Sequence, residues 1–416
     1  MRSFATRFVR ILGPDPAAVA QSIVALLLSV VATLIAGLLL ASAETRLAQL
    51  PGLLLMVPAA IGQRGNVFGA LGSRLGTAIH TGEFNVSRRP DTVFGQNILA
   101  SLGLSVVAAA WLALLAWILA GVFGIEGAMG LFDFLTISVV GGFLASVIVL
   151  GLTLTLASGS TRFGWDLDNV TAPLVTASGD LVTLPALLAA SLLVRGTGAG
   201  AATGGTVGNV IGIVVLVVAA LILAASLRHA LPLLRRIVIE SLPVLAAASF
   251  ISLIAGIVVE NQLGTFLDQP ALLVLVPAYF GMAGALGGIL SSRLGSKVHL
   301  GLIQSRAFPQ REAWVDIRSI AVLAGPIFVL VGLAAHVGAL IVGATSPGVG
   351  TMVSIALLAG FGATIVVLAV AYYGTLGAVR IGLDPDTATI PLTNSVLDLV
   401  GAFTLVGAII LLGVGT

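Results

Sequence analysis

Eleven apolar blocks follow one another along the chain, near 18–43, 51–80, 97–124, 131–158, 169–194, 208–227, 238–259, 270–299, 318–343, 350–377 and 387–414. Each is longer than the ~18 residues a helix needs to cross a bilayer. A water-soluble domain carries about 25% charged residues, whereas 9% of this chain is charged and 58% is apolar. There is too little polar side chain here to cover a water-facing surface. That excludes a cytosolic enzyme, a nucleic-acid binder and a disordered scaffold. The expected fold class is an all-α polytopic membrane protein of about 11 transmembrane helices, multi-pass in the cell membrane with the lipid bilayer as its partner. With no Cys in the sequence, disulfides and thiolate metal sites are excluded as well.

Arg2, Arg7 and Arg10 precede an apolar stretch from Ala17 to Ala43 that ends in Ala41-Ser42-Ala43, which resembles a secretory signal with its cleavage site. The stretch is longer than the ~7–15 residues of a signal's apolar core, so it reads as a retained helix. The net charge of +2 identifies no partner, but its placement orients the chain. With the N-terminus cytoplasmic, the inner loops hold Arg88, Arg89, Arg162, Arg228, Arg235, Arg236, Arg306, Arg311 and Arg380, and the outer loops hold Arg46 and Arg195. Basic residues gather on the cytoplasmic side, which puts the C-terminus outside.

The blocks repeat. A shift of 219 places Val57-Pro58-Ala59 on Val276-Pro277-Ala278, Ser73-Arg74-Leu75-Gly76 on Ser292-Arg293-Leu294-Gly295, and His80 and Gly82 on His299 and Gly301. Thirteen of the 26 positions from Val57 to Gly82 are identical in the second copy. Leu34-Ile35-Ala36-Gly37 matches Leu253-Ile254-Ala255-Gly256 at the same shift. At 218, Asp166, Asp168, Thr171, Pro173, Leu174 and Asp180 recur as Asp384, Asp386, Thr389, Pro391, Leu392 and Asp398. The chain therefore reads as a first repeat over 1–195, a Gly-rich connector and linking helix over 196–230, and a second repeat over 231–416. Two five-helix units joined directly would point oppositely. The unmatched sixth span makes them parallel, with a pseudo-two-fold axis along the membrane normal and a path between the halves.

Asp180 and Asp398 lie about twelve residues into their spans, ~18 Å along a helix and so near mid-bilayer. A charge there costs about 2.5–3.5 kcal/mol or more unless it faces water, an ion or a partner. Two carboxylates at one depth repel, and a divalent cation between them removes that penalty. The alternative is a protonated Asp, or one paired with Arg, that only fixes helix packing. Arg64 lies equally deep and has Ala283 as its counterpart, so it either pairs with Asp180 as a built-in competitor for the ion or snorkels towards water.

The second and eighth spans are rich in Gly, including Gly62 and Gly65 against Gly281 and Gly284. Such spacing permits close helix contact, and it also lets backbone oxygens approach a pore below Pro58 and Pro277. Backbone and carboxylate oxygens are hard ligands of the kind Mg²⁺ prefers. Asp166, Asp168, Asp384 and Asp386 stand before the fifth and last spans, as helix caps or as a cation-gathering inner mouth. His80 and His299 read as interfacial packing rather than a metal pair, Arg74 and Arg293 as anchors of their helix ends or partners of the inner Asp groups, and Glu44 and Glu260, at the outer ends of their spans, as attracting cations or marking the interface.

The paired Asp, Pro-Leu and Asp set, with Val-Pro-Ala, Gly62, Gly65, Asn66 and Ser-Arg-Leu-Gly, resembles the MgtE magnesium channels and, more closely, the two-repeat divalent-cation transporters of solute carrier family 41. MgtE chains resemble one half and dimerise, and this chain resembles that dimer fused. The resemblance implies Mg²⁺ as the transported ion and no organic cofactor. It implies a metal site at Asp180 and Asp398, joined by Ala172, Thr176 and Asn394, with Arg64, Asn66, Gly62, Gly65, Gly281, Gly284 and the four inner Asp as pore-lining or gating positions. Two departures stand out. Asn66 meets Ala285 in the second repeat, so its role is one-sided. The first span begins near residue 18, which implies a form without MgtE's cytosolic regulatory domains, whose gating would then fall to a separate cytosolic subunit. As a pseudo-dimer in one chain, the protein is compatible with a monomer. A Na⁺- or H⁺-coupled exchanger would use the same site. An intramembrane aspartyl hydrolase fits the Asp pair alone, since no HExxH or Gly-x-Ser-x-Gly context accompanies it. A structural scaffold does not explain two mid-membrane carboxylates.

Overall fold

The structure, a computed structural model, describes residues 16–80, 89–164, 167–194, 206–228, 231–304, 308–380 and 385–414, and single residues 82, 87, 306 and 382. The described residues form helices in the order α1 (Pro16–Ser42), α2 (Glu44–Gln49), α3 (Leu53–His80), α4 (Val93–Val122), α5 (Leu131–Leu135), a π-helical turn (Thr136–Gly141), α6 (Gly142–Phe163), α7 (Leu167–Ser191), α8 (Thr206–Arg228), α9 (Pro232–Glu260), α10 (Leu263–Asp268), α11 (Ala271–His299), α12 (Arg311–Ile341), α13 (Val349–Arg380) and α14 (Pro385–Leu411). Uninterrupted apolar sequence makes them long, and local polar chemistry ends them. Thr92 starts α4 by accepting the Gly95 N–H at 3.1 Å, and Gly164 ends α6 in the left-handed region at φ 68°.

Among the described residues, ten helical segments are long and apolar enough to cross a membrane, which makes this a multi-pass membrane protein. The count differs from the eleven expected because α3 does not qualify. It has 28 residues, but Gln63, Arg64 and Asn66 lower its hydropathy. The reason is its position: α3 is enclosed by α4, α6, α7, α9 and α14. A helix walled off from lipid by protein need not be apolar throughout. Its counterpart α11 is enclosed in the same way by α1, α7, α12, α13 and α14. Both helices run unbroken through Pro58 and Pro277. Each proline stands in the second turn and, lacking an N–H, leaves one first-turn carbonyl without its helical donor.

Helices one shift apart make reciprocal contacts. α1 packs on α7 and α11, while α9 packs on α14 and α3. Two of these crossings, α1 with α11 and α9 with α3, turn on a glycine. Gly37 of α1 lies against the backbone of Val274 in α11, and Gly256 of α9 against the backbone of Leu55 in α3. Leaving out Cβ brings two backbones together where no aliphatic side chain would fit. Glu260 accepts N–H bonds from Gly52 and Leu55 and so caps the start of α3. Arg46 donates to Ser191 Oγ at 3.1 Å and to Ser191 O at 2.5 Å, which closes the end of α7. The unmatched helix α8 lies on the flank against α4 and α5, with Val210, Val214, Val217 and Leu221 exposed.

Candidate cation site

The two enclosed helices bring their glycines to the centre, and the aspartates of α7 and α14 point at them across the halves. A methyl placed on Gly281 of α11 would overlap Asp180 Oδ2, and one on Gly62 of α3 would come within 3.0 Å of Asp398 Oδ2. One turn along, Gly65 faces Thr176 Oγ1 at 3.5 Å and Gly284 faces Asn394 Oδ1 at 3.7 Å, measured from the same built Cβ positions. Gly62 and Gly281 thus make room for the aspartates of the opposite half, and Gly65 and Gly284 for polar side chains of their own.

These residues line one cavity of about 50 Å³, with walls that include Pro58, Gly62, Gly65, Thr176, Asp180, Pro277, Gly281, Gly284, Asn394 and Asp398. That is several times the ~10–15 Å³ that admits one water. Among the described residues, no Lys, Arg or His is in its lining. Asp398 Oδ2 accepts the Ser252 hydroxyl of α9 at 2.6 Å. Asp180 is 1% exposed, and its Oδ2 receives no hydrogen bond, nor does Asn394 Oδ1. Asn394 Nδ2 donates to Asn66 Oδ1 at 2.9 Å, which leaves its own oxygen for the cavity. Buried acceptors without donors, in a space free of basic groups, are the chemistry that a hard cation with some of its water satisfies. Among the described residues no cluster of three or more His, Asp or Glu forms.

Arg64 is not among the residues that line this cavity. It is 0% exposed, so it does not snorkel to water, and no ion pair among the described residues includes it. Its Nη1 donates to Ala60 O at 3.0 Å and its Nη2 to Gln63 Oε1 at 2.9 Å. The guanidinium rests against Gly142 of α6. Helical geometry explains this, since two residues beyond Gly62 is a turn of about 200°. Gly62 and Gly65 face the cavity, and Arg64 faces the other way. Gln63 continues the contact by donating to Ser249 Oγ of α9 at 3.4 Å.

At the other ends of α3 and α11 the halves differ. Arg74 donates to Asn97 Oδ1 at 2.9 Å. Its counterpart Arg293 lies 3.9 Å from Asp316 and donates to Ser22 Oγ at 2.9 Å. Lys297 bonds the same Asp316 at 2.5 Å. Asp166 and Asp384 lie outside the described residues, as do the side chains of Asp168, Ala172, Asp386, His80, His299 and Glu44. Ser252 and Thr33 are the site neighbours that motif reading passed over. The 219 shift that aligns Gly37 with Gly256 also pairs them, and both are polar in mid-span.

The profile of the MgtE family, described as a divalent cation transporter, matches residues 57–190 and 276–408. Similar curated proteins are solute carrier family 41 members. Member 2 of Xenopus laevis is 26% identical over 253 residues, covering 59% of this chain and 43% of its own length. Member 2 of Homo sapiens is 26% identical over 59% of this chain and 42% of its own. Member 3 of Rattus norvegicus is 30% identical over 141 residues, covering 32% and 29%. The chain thus spans less than half the length of these relatives. A eukaryotic MATE transporter, AtDTX14, aligns over 98% of the chain and 96% of its own at 12% identity and a TM-score of 0.34, too distant to bear on the fold.

Proposed function

The chain belongs to the MgtE family of divalent cation transporters, and from that premise we propose that it carries Mg²⁺, or a similarly hard divalent cation, across the cell membrane past Asp180 and Asp398. The observation that carries this reading is the cavity in which two aspartates and Asn394 meet with no basic residue in the lining. Two carboxylates sharing one buried space repel each other, and a dipositive ion between them cancels more of that repulsion than a monovalent one. The short supply of protein oxygens suits Mg²⁺, which keeps several of its waters and takes one or two carboxylates. The reciprocal contacts of Gly37 with Val274 and of Gly256 with Leu55 support two parallel repeats about a central axis, with the ion path between them. The placement of arginines supports a cytoplasmic N-terminus.

A ligand that binds only the folded state raises its stability by mass action. Purified protein titrated with Mg²⁺, Mn²⁺, Co²⁺ and Ca²⁺ is expected to show a saturable rise in Tm with Mg²⁺, absent with Na⁺ at equal ionic strength. No ion-specific rise would overturn the reading. Uptake into liposomes that ignores an imposed Na⁺ or pH gradient marks a channel, and uptake that follows one marks a coupled exchanger.

A further inference from the structure

The two aspartates are equivalent in the duplicated sequence and unlike in their surroundings. Ser252 gives its hydroxyl to Asp398 at 2.6 Å. Its counterpart is Thr33, whose hydroxyl turns back to its own helix, donating to Ser29 O at 2.9 Å and Val30 O at 3.2 Å. Thr33 presents its methyl instead, 2.7 Å from where a Cβ on Gly281 would lie. A threonine hydroxyl that bonds the preceding turn fixes its χ1 and leaves only the methyl for the neighbour. Asp180 Oδ2 is therefore buried without a donor.

A second one-sided feature falls on the same cavity. Asn394 Nδ2 is taken up by Asn66, so Asn394 Oδ1 is the atom left without a donor. The counterparts of this pair are Thr176 and Ala285, which cannot build the same arrangement. Asp180 and Asn394 come from opposite halves, yet both line the cavity.

We propose that the cation is held off the central axis, directly by Asp180 Oδ2 and Asn394 Oδ1, while Asp398, already occupied by Ser252, is the weaker ligand. Thr33, Ser252 and Asn66 are positioning residues that decide which aspartate takes the ion. One hydroxyl is withheld from Asp180, one is given to Asp398, and one amide is turned so that its oxygen faces the ion. This assignment rests on the divalent-cation reading above and adds an order to its two carboxylates.

The test is the Mg²⁺ concentration that gives half of the Tm rise, measured for the full chain and for isosteric variants. Asp180→Asn is expected to raise that midpoint at least about tenfold, the scale of one lost charged contact. Asp398→Asn is expected to raise it less than about threefold. Ser252→Ala frees the second carboxylate and is expected to lower the midpoint, whereas a purely structural role for Ser252 would shift the cation-free Tm and leave the midpoint in place. Asn66→Ala, which copies Ala285, is expected to raise the midpoint by releasing the amide. If Asp180→Asn does not fold, Asn394→Ala carries the same expectation of a tenfold rise. Equal shifts for the two aspartates, or a larger one for Asp398, would overturn the off-axis assignment while leaving transport intact. A wild-type chain that ignores Mg²⁺ would instead remove the transport reading itself.

Discussion

Gly256→Ala and Gly37→Ala are expected to lower Tm sharply, because each adds a methyl where two helix backbones meet. A Cβ on Gly256 runs into the Leu55 carbonyl, with the carbon at 2.9 Å. One on Gly37 runs into Val274, with the carbonyl carbon and Cα both at 3.0 Å. A flexible side chain could rotate away from such a methyl, but a helix backbone cannot, so the two helices must separate. Overpacking against movable neighbours costs about 1–3 kcal/mol, and a rigid obstacle puts these two at or above the top of that range. The damage also reaches the centre, because α3 and α11 carry Gly62 and Gly281. Thermal unfolding in detergent is the measurement. Each variant should lose several degrees or fail to purify as a single species. Gly151→Ala, with nothing within 4 Å of its Cβ, should hold or raise Tm through the better helix propensity of Ala.

Gly281→Ala is expected to have the largest effect on cation response with the fold retained. The methyl would take the place of Asp180 Oδ2 and stand 2.7 Å from Thr33 Cγ2. The carboxylate is the end of a side chain and is pushed from the cavity, so the helices stay together and the ligand leaves. Gly62→Ala meets Asp398 Oδ2 at 3.0 Å and should act in the same direction but more weakly. Gly284→Ala finds its nearest atom, Asn394 Oδ1, at 3.7 Å, which is ordinary contact, and should be nearly neutral. The Mg²⁺ midpoint should rise at least about tenfold for Gly281→Ala, by a few-fold for Gly62→Ala and by less than about twofold for Gly284→Ala. Three equal responses would mean that the glycines act through helix packing alone.

Much of the centre was legible because the chain presents it twice. The 219 shift that joined Ser-Arg-Leu-Gly to its copy also paired Gly62 with Gly281 and Gly37 with Gly256, and the structure places those pairs in reciprocal contacts. Depth could be counted along a helix at 1.5 Å per residue, which singled out Asp180 and Asp398. Direction around the helix was harder to read. Arg64 shares their depth and was weighed as a partner of Asp180, although the 100° step per residue already turns it away from Gly62 and Gly65. The apolar blocks made α3 look like any other span, and only the structure shows why it tolerates Gln63, Arg64 and Asn66: it is enclosed by protein rather than lipid. The unlike behaviour of Ser252 and Thr33 was not legible at all. A hydroxyl in a helix always has a backbone acceptor one turn back, and whether it takes that acceptor or a carboxylate depends on distances set by the fold.

Transport past the paired aspartates is tested most directly by Mg²⁺ uptake into liposomes carrying the purified chain, with Asp180→Ala plus Asp398→Ala as the comparison. Wild-type protein is expected to admit Mg²⁺. The double variant should be folded, as judged by its unfolding transition, and should show uptake no greater than empty liposomes. Full Mg²⁺ flux through the folded double variant would contradict the assignment of the ion path to Asp180 and Asp398.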